Sequence, residues 1–527
     1  MMPARDLAED VCAALGRPDF YPSRPERVVV RETHVSWVFL AGDRAYKLKK
    51  PLVLAFLDYG TPERRREMCR EEVRLNRRLA PDVYLGVRAV AATRAGFELA
   101  AEMDPRAVDY LVEMRRYDER DTLAARLQCA ELKRSDVHAV GRVLAEFHAR
   151  APIVRAVGIP ALAVARRMTE NFHELLAIVE QRAEIDRVLA LERFAHAFVV
   201  AHALTLSARS RRGRIRDGHG DLRAEHVLLD DKVRIVDCIE FDPGLRELDV
   251  ADDLAFLIMD LVAHGAERFA RALVRGYRDA GGDPGGDALI AFYAAYRALV
   301  RAKVALLRAA QHPAKSAAHG HESAQARDLL SLAESFAWQA RRPLAIVVCG
   351  VPASGKTHLA ETLASLSGLA QLSSDITRKR LAGIAPEKRA PADVYGAEFS
   401  ALTYAELGRR AARQVAARGG AIVDATFRHR ADRDAFAAAF AGAAPLLFVE
   451  CQAPAAVLAR RAAKRDREPG RVSDANLAVA TRERSSWEAL DEVAPGAHLA
   501  LRTDRRVEET AVDLLALLDQ RIARTGA

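Results

Sequence analysis

Aromatic side chains make up only 6% of the 527 residues. That leaves little material for stacking a string of bases, which a nonspecific single-strand groove needs. No two of the six cysteines (Cys12, Cys69, Cys129, Cys238, Cys349 and Cys451) form a C-x-x-C pair. Such spacing argues against a disulfide frame or a zinc site and fits a reduced, cytoplasmic protein. Long apolar runs are missing as well. The most apolar stretch, Leu254–Ala263, contains Asp260 and is far too short to span a bilayer. The opening residues, Met1–Asp10, are polar and partly acidic, which does not read as a secretory signal. No internal repeat with a period of about 20–50 residues marks a solenoid. Charge of one sign is not in large excess either. Lys plus Arg number 80 against 72 for Asp plus Glu, a net +8 with a pI near 9.2. That surplus suits polyanions, nucleotides included, and does not require nucleic acid.

Half of the residues are hydrophobic, and the chain is too long for one core. Its most informative stretch is Gly350-Val351-Pro352-Ala353-Ser354-Gly355-Lys356-Thr357, which fits G-x-x-x-x-G-K-[ST]. The apolar run Leu344–Cys349 before it reads as a buried strand, and His358–Ser367 after it as a helix. Glycines let successive backbone N–H groups turn toward one anion, and a helix N-terminus adds its positive end. Gly350, Ser354, Gly355, Lys356 and Thr357 are therefore the expected nucleotide-binding residues. Lys356 would reach the outer phosphates, and the Thr357 hydroxyl would ligate Mg²⁺.

The amino-terminal part opens with a short helix closed by Gly16 and Pro18. Val28–Arg31, Val35–Leu40 and Ala45–Leu48 then read as an antiparallel meander that ends in Lys47, Lys49 and Lys50. Glu63–Leu79 is predicted as a charged amphipathic helix, and Val83–Val90 and Tyr110–Met114 as further strands. The chain then turns helical, with Val137–Arg150 clearest. His219–Phe241 interrupts this with a hairpin, Val227–Leu229 and Val233–Val236 around Asp230-Asp231. A long helix at Leu289–Leu307, a loop at Gln311–Ser323 and a helix at Ala324–Gln339 follow. Arg341-Arg342-Pro343 is the predicted boundary, giving domains 1–340 and 341–527. Beyond it, strands at Leu344–Cys349, Ala370–Leu372, Ala421–Val423, Pro445–Glu450 and His498–Leu501 alternate with helices. That alternation predicts a parallel sheet.

Two aspartates flank the hairpin: Asp221 in His219-Gly220-Asp221-Leu222-Arg223, and Asp237 in Ile235-Val236-Asp237-Cys238. One can orient or deprotonate an acceptor hydroxyl while the other holds Mg²⁺ against phosphates. His219–Asp237 resembles the catalytic loop and metal-binding segment of the aminoglycoside phosphotransferase and choline kinase superfamily, a branch of the protein-kinase-like fold. Leu144–His148 is similar to that family's helix ahead of the loop, and Tyr110–Met114 to its adenine hinge. The resemblance implies an α+β kinase-like domain with Asp221 as base and Asp237 as Mg²⁺ ligand. Lys47 would grip the α/β phosphates, with Lys49 as runner-up and Glu71 or Glu72 as partner. Where the family places Asn five residues after the catalytic Asp, His226 stands. It is the candidate second metal ligand, unless the site uses one metal mainly through Asp237, Glu240 or Asp242 compensates, or the enzyme is weakened. The turn Thr33–Ser36 over the nucleotide contains no glycine.

In the second domain Asp375, in Ser373-Ser374-Asp375, and Asp424, in Ile422-Val423-Asp424, follow strands of the predicted sheet. They would face the crevice where open α/β sheets bind ligands. Asp424 is the expected Mg²⁺-water residue, and helix capping is the plain alternative for both. The basic run Arg460–Arg471, with Arg461 and Arg465, reads as a mobile lid that offsets phosphoryl charge. This domain resembles the P-loop kinases related to polynucleotide 5′-hydroxyl kinases, zeta toxins and gluconate kinases. By that resemblance Asp375 is a base toward an acceptor hydroxyl, Arg378 holds substrate or phosphate, and Arg502-Thr503-Asp504 borders adenine. The whole chain thus resembles a bacterial fusion of an aminoglycoside-phosphotransferase-like domain with a P-loop NTPase-fold domain. ATP and Mg²⁺ are the implied cofactors, and a small-molecule hydroxyl is the implied acceptor. Two alternatives compete: a nucleic-acid 5′-hydroxyl kinase, not favoured because Phe427 is the only aromatic near the acceptor motifs, and a nucleotide sensor.

Overall fold

Polar and apolar residues alternate from Val28 to Lys49 and form three antiparallel strands, Val28–Glu32, Ser36–Ala41 and Arg44–Lys49. In the computed structural model, which describes residues 4–54, 57–155, 158–388, 390–465 and 486–525, they belong to a six-stranded antiparallel sheet. Its spatial order continues with Ala107–Arg115, Tyr84–Thr93 and Gly96–Ala101. The last strand was not expected from the sequence. Its stretch, Gly-Phe-Glu-Leu-Ala-Ala, holds no β-branched residue, and pairing with Tyr84–Thr93 supplies what propensity does not. Successive strand residues point to opposite faces. Tyr46 and Leu48 therefore enter one core with Phe39, Val90 and Leu111. Ala45 enters the other, with Cys69, Val73, Val112 and Val236. Lys47 and Lys49 share the Ala45 face.

The helix Pro62–Asn76 lies on that face. Thr61 caps it, its hydroxyl accepting from the Arg64 N–H at 3.3 Å. Cys69, Glu72, Val73 and Asn76, at helical spacing, form its buried side. The predicted hairpin is present as Val227–Leu229 paired with Val233–Ile235. Farther on, the helices Arg134–Arg150 and Glu267–Asp279 touch backbone to backbone. A Cβ on Gly141 would lie 2.2 Å from the Leu273 carbonyl oxygen, and one on Gly276 2.0 Å from that of His138. This approach lets the Tyr277 hydroxyl meet His148 Nδ1 at 2.9 Å.

The P-loop part holds five parallel strands in the order Ala370–Ser373, Gly420–Asp424, Leu344–Cys349, Leu446–Gln452 and His498–Arg502. All five are where the sequence places them. Ile346 and Val348 pack on one face under Leu359, Leu363, Leu514 and Leu518. Ala345, Val347 and Cys349 pack on the other, under Tyr404, Leu407, Phe436 and Phe440. Helices thus cover both faces, as parallel strands require.

The chain is therefore an α+β kinase-like domain followed by an α/β P-loop domain, but its packing does not divide after Ala340. One compact unit comprises Met1–Gly158 and Ser207–Gly286, and the other Ile159–Leu206 and Asp287–Ala527. The expected boundary at Arg341–Pro343 lies inside the second unit. Trp338 is part of the core under Ile346 and Val348. Arg341 forms a buried ion pair with Asp519 at 2.6 Å and lies over the Phe194 ring at 4.3 Å. The expected loop Gln311–Ser323 is also half helical. Ser316 caps a helix Ala317–Ala340 by accepting from the His319 N–H at 3.1 Å. No single described helix is long and apolar enough to cross a membrane, and all six cysteines are unpaired.

Gly276→Ala should force the two helices of the first unit apart and destabilise it by about 1–3 kcal/mol, the usual cost of overpacking. Urea unfolding of the full chain, followed by circular dichroism, would show that unit's transition at lower denaturant. An unchanged transition would refute the close-packing account.

Candidate active sites

Three elements meet at the first site: strand Arg44–Lys49, helix Pro62–Asn76 and the segment after the hairpin. Lys47 Nζ lies 2.8 Å from Glu72 Oε1 and 2.7 Å from Asp237 Oδ1. The alternatives left by spacing are resolved here. Glu72 is fully buried and takes Lys47, whereas Glu71 pairs with Arg74 and Arg246. Lys49 donates to the other oxygen of Glu72 at 2.6 Å, and also pairs with Glu240. Burial works against charge on Lys47, but Asp237 and then Glu72 raise its pKa well above the ordinary value. Burial likewise opposes ionisation of Glu72, and Lys47 and Lys49 overcome it and hold the carboxyl low.

Asp237 adopts a left-handed backbone, φ 64°, uncommon outside glycine. Its N–H donates to the Tyr84 hydroxyl at 3.1 Å, and the next N–H, of Cys238, to Asn76 Oδ1 at 2.9 Å. Desolvation would raise its pKa, yet Lys47 above all, with Arg223 farther off, holds it below the usual carboxylate range. Asp221 receives both Arg223 Nε and Nη2, at 3.1 and 3.0 Å. That pairing outweighs burial and keeps Asp221 ionised. Asp237, anionic and open to solvent on one side, fits a Mg²⁺ ion. The expected compensating ligands do not join it. Glu240 is taken by Lys49 and by the Tyr59 hydroxyl, and Asp242 caps the turn at Gly244. His226 Nε2 lies 3.6 Å from Asp237 Oδ2. In the turn Thr33–Ser36 the Thr33 hydroxyl does the closing, accepting from the Ser36 N–H at 3.0 Å.

Sequence reasoning missed the group that shapes the catalytic loop. Asp253, fully buried, accepts the N–H of His219 at 2.7 Å and of Gly220 at 3.0 Å. His148 Nε2 meets it at 3.1 Å. Asp260, two turns along the same helix, accepts the Ala224 N–H at 2.7 Å. The available signal was their position: acids inside the apolar helix Val250–Ala263 need partners.

In the second unit the loop Gly350–Thr357 follows its strand directly. Gly350 and Gly355 have φ of 137° and 93°, and a Cβ on Gly350 would lie 2.7 Å from the Cys451 carbonyl oxygen. No side chain caps the helix Lys356–Ser367, so its first N–H groups remain for an anion. Lys356 folds back over the loop, 3.4 Å from the Val351 carbonyl. Asp424, buried next to Thr357, has its pKa raised by burial despite Lys356 and the Thr357 hydroxyl. Ser354 Oγ is buried with no partner among the described residues. A buried carboxylate beside a hydroxyl, under an uncapped helix, fits Mg²⁺ and a phosphate chain.

Asp375 sits in the first turn of helix Ser374–Leu381, but Ser373 is the cap, accepting from the Ile376 N–H at 3.4 Å. Asp375 is thus spared for other work, and its charge reaches Asp424. Arg378 is buried. Its Nη1 donates to the Val394 carbonyl at 2.7 Å, and its guanidinium stacks on Tyr395 at 5.0 Å. Arg461 donates to the Thr503 carbonyl at 2.6 Å and reaches that of Ser354 at 3.5 Å, so it braces the P-loop backbone. Thr503 Oγ1 donates to Ser354 O at 2.5 Å. Arg460 and Lys464 are exposed on the helix Ala455–Arg465, whereas the Arg465 side chain, Arg467 and Arg471 lie outside the described residues. Phe427 is not an exposed stacking platform. It is fully buried against Tyr404, Phe436 and Phe448, and the partly exposed aromatic beside the acceptor-side helix is Tyr395.

Fold and sites together define a kinase-like α+β domain fused to an α/β P-loop domain. Residues 346–490 match the family described as AAA domain. Uncharacterized protein Rv2004c of Mycobacterium tuberculosis is 36% identical over 370 residues, covering 69% of this chain and 71% of that protein. Uncharacterized protein Mb2027c of Mycobacterium bovis matches to the same extent. The chain belongs to the family of these mycobacterial proteins. Among solved structures it is similar to a choline/ethanolamine kinase family protein from Mesorhizobium loti, with 13% identity, 64% of this chain and 99% of that chain covered, and a TM-score of 0.35. It is also similar to a gluconokinase from Sinorhizobium meliloti 1021, with 24% identity, 34% and 94% covered, and a TM-score of 0.25.

His219 gives the first site a pH dependence. Its Nε2 faces the Val236 carbonyl at 3.0 Å, and burial lowers its pKa from 6.5 to about 4. A lowered histidine stabilises the fold above its unfolded value and loses that contribution as pH falls. The first unit should therefore weaken between pH 6.5 and 4, by on the order of 3 kcal/mol at about 1.4 kcal/mol per pKa unit. Unfolding of wild type and His219→Gln across this range is the check. The variant should lack that limb, and identical profiles would refute the assignment.

Proposed function

We propose that this protein is an ATP-dependent phosphotransferase with two MgATP sites, transferring the γ-phosphoryl group to a hydroxyl of a small molecule. The observation that carries the proposal is the P-loop, with Lys356 folded over it and Thr357 next to buried Asp424. In this account the loop N–H groups and Lys356 hold the phosphates, and Arg461 keeps the loop rigid from behind. Thr357 would hold Mg²⁺, with Asp424 behind it, and the ion would neutralise phosphate charge. Asp375 accepts the proton of the acceptor hydroxyl as its oxygen bonds to the γ-phosphorus. The bond from that phosphorus to the β–γ bridging oxygen breaks, and ADP leaves.

In the first unit Lys47, steered by Glu72, would grip phosphates, Asp237 would hold Mg²⁺, and Asp221 would act as base. Support comes from Lys47 reaching Glu72 and Asp237 at once. A nucleic-acid 5′-hydroxyl is the second reading of the acceptor. Exposed Tyr395 on Arg378 favours it, and buried Phe427 weighs against it. Phosphorylation of a metabolite library that also contains a 5′-hydroxyl oligonucleotide separates the two.

Lys356→Ala should lower the nucleotide stoichiometry of the full chain from two to one, measured by calorimetric titration with MgATP analogue. Wild type binding a single nucleotide would sink the two-site proposal. Asp375→Asn in the full chain should leave nucleotide affinity nearly intact while phosphoryl transfer at the second site falls about 10²–10⁴-fold, the usual span for loss of a general base. A parallel fall in ATP affinity would make Asp375 a binding residue instead.

A further inference from the structure

The kinase-like resemblance implies a second metal ion beside the one at Asp237, and the residues around His226 do not fit it. Both ring nitrogens of His226 are engaged. Nδ1 lies 2.8 Å from the Asp221 carbonyl oxygen, an acceptor only, so Nδ1 carries the proton. The remaining lone pair, at Nε2, faces Arg223 Nη2 at 3.2 Å, a donor only. A metal at Nε2 would have to displace a guanidinium. Arg223 is itself well anchored. Its Nε and Nη2 hold both oxygens of Asp221, its Nη1 pairs with Glu225, and its side chain is only 13% exposed.

We propose that Arg223 takes the place of the second metal ion: its guanidinium is a fixed cation between Asp221 and His226, and the first site binds one divalent ion, at Asp237, per nucleotide. Three features carry this. The charge lies between two groups of the catalytic loop, touching the Asp221 carboxylate at 3.0 Å and His226 Nε2 at 3.2 Å. An arginine cannot lose its proton under any ordinary condition, so the cation is permanent. The planar fork holds Asp221 through two bonds, which fixes the carboxylate without removing its charge. Histidine at position 226 fits this arrangement. Its protonated Nδ1 grips the loop backbone, and its Nε2 accepts from the guanidinium.

This inference rests on the first site binding nucleotide, and the test separates the two. Full-length Lys356→Ala protein is titrated with Mn²⁺ and a non-hydrolysable ATP analogue, and bound Mn²⁺ per bound nucleotide is counted by electron paramagnetic resonance. One Mn²⁺ per nucleotide is expected. The triple variant Lys356→Ala/Arg223→Ala/His226→Asn should bind two, because the guanidinium is gone and a carboxamide oxygen replaces the imidazole. A thermal melt confirms folding, and Arg223→Gln replaces Arg223→Ala if the melt is lost. Two Mn²⁺ per nucleotide with Arg223 and His226 intact, or one in the triple variant, would overturn the substitution while leaving the nucleotide site standing. No nucleotide bound to Lys356→Ala protein would overturn both.

Discussion

Charge taken out of water must be paired, and the first unit is built around that constraint. Lys47, Lys49 and Glu72 lie in the interior between a sheet and a helix. Removing one partner from such a group typically costs about 3–5 kcal/mol. The pairing is made by two local periods. A strand repeats every second residue, so Lys47 and Lys49 emerge on one face. A helix presents Cys69, Glu72, Val73 and Asn76 together, so one carboxylate arrives among apolar neighbours. Asp237 and Glu240 then complete the group from the segment after the hairpin.

The two units solve phosphate recognition differently. In the first, side chains carry the charges, and other buried side chains hold them in place. Asp253 shapes the loop through two backbone N–H groups and is itself held by His148. In the second, the backbone supplies the binding surface, and an uncapped helix end supplies the field. There the side chains brace. Arg461 and Thr503, both more than 100 residues downstream, fasten the Ser354 carbonyl.

A fixed guanidinium beside Asp221 also changes how the departure at His226 is understood. Read alone, histidine in place of an amide suggests a lost metal ligand. Beside Arg223 it is an acceptor matched to a donor. The pair keeps a positive charge against Asp221 and needs no ion to do so.

The sequence by itself determined the P-loop, the five parallel strands, the meander and the hairpin with its flanking aspartates. These rest on short-range rules, on side-chain period and on turn chemistry, so they can be read within a few residues of each position. Tertiary structure alone decided between Glu71 and Glu72, because both spacings reach a strand and only the helix's buried side selects one. It alone recruited Asp253 and Asp260 to the catalytic loop, since their hydrogen-bond partners lie some 30 or more positions away. It moved Glu240 from a metal role to Lys49 and placed Phe427 in a core rather than at an acceptor site. The unit boundary was decided the same way. The helices Arg182–Ala201 and Ala317–Ala340 carry apolar faces that fit several partners by pattern, and only packing assigns them to the P-loop unit. Local pattern fixes which face of an element is apolar, whereas the identity of what covers it is a property of the assembled chain.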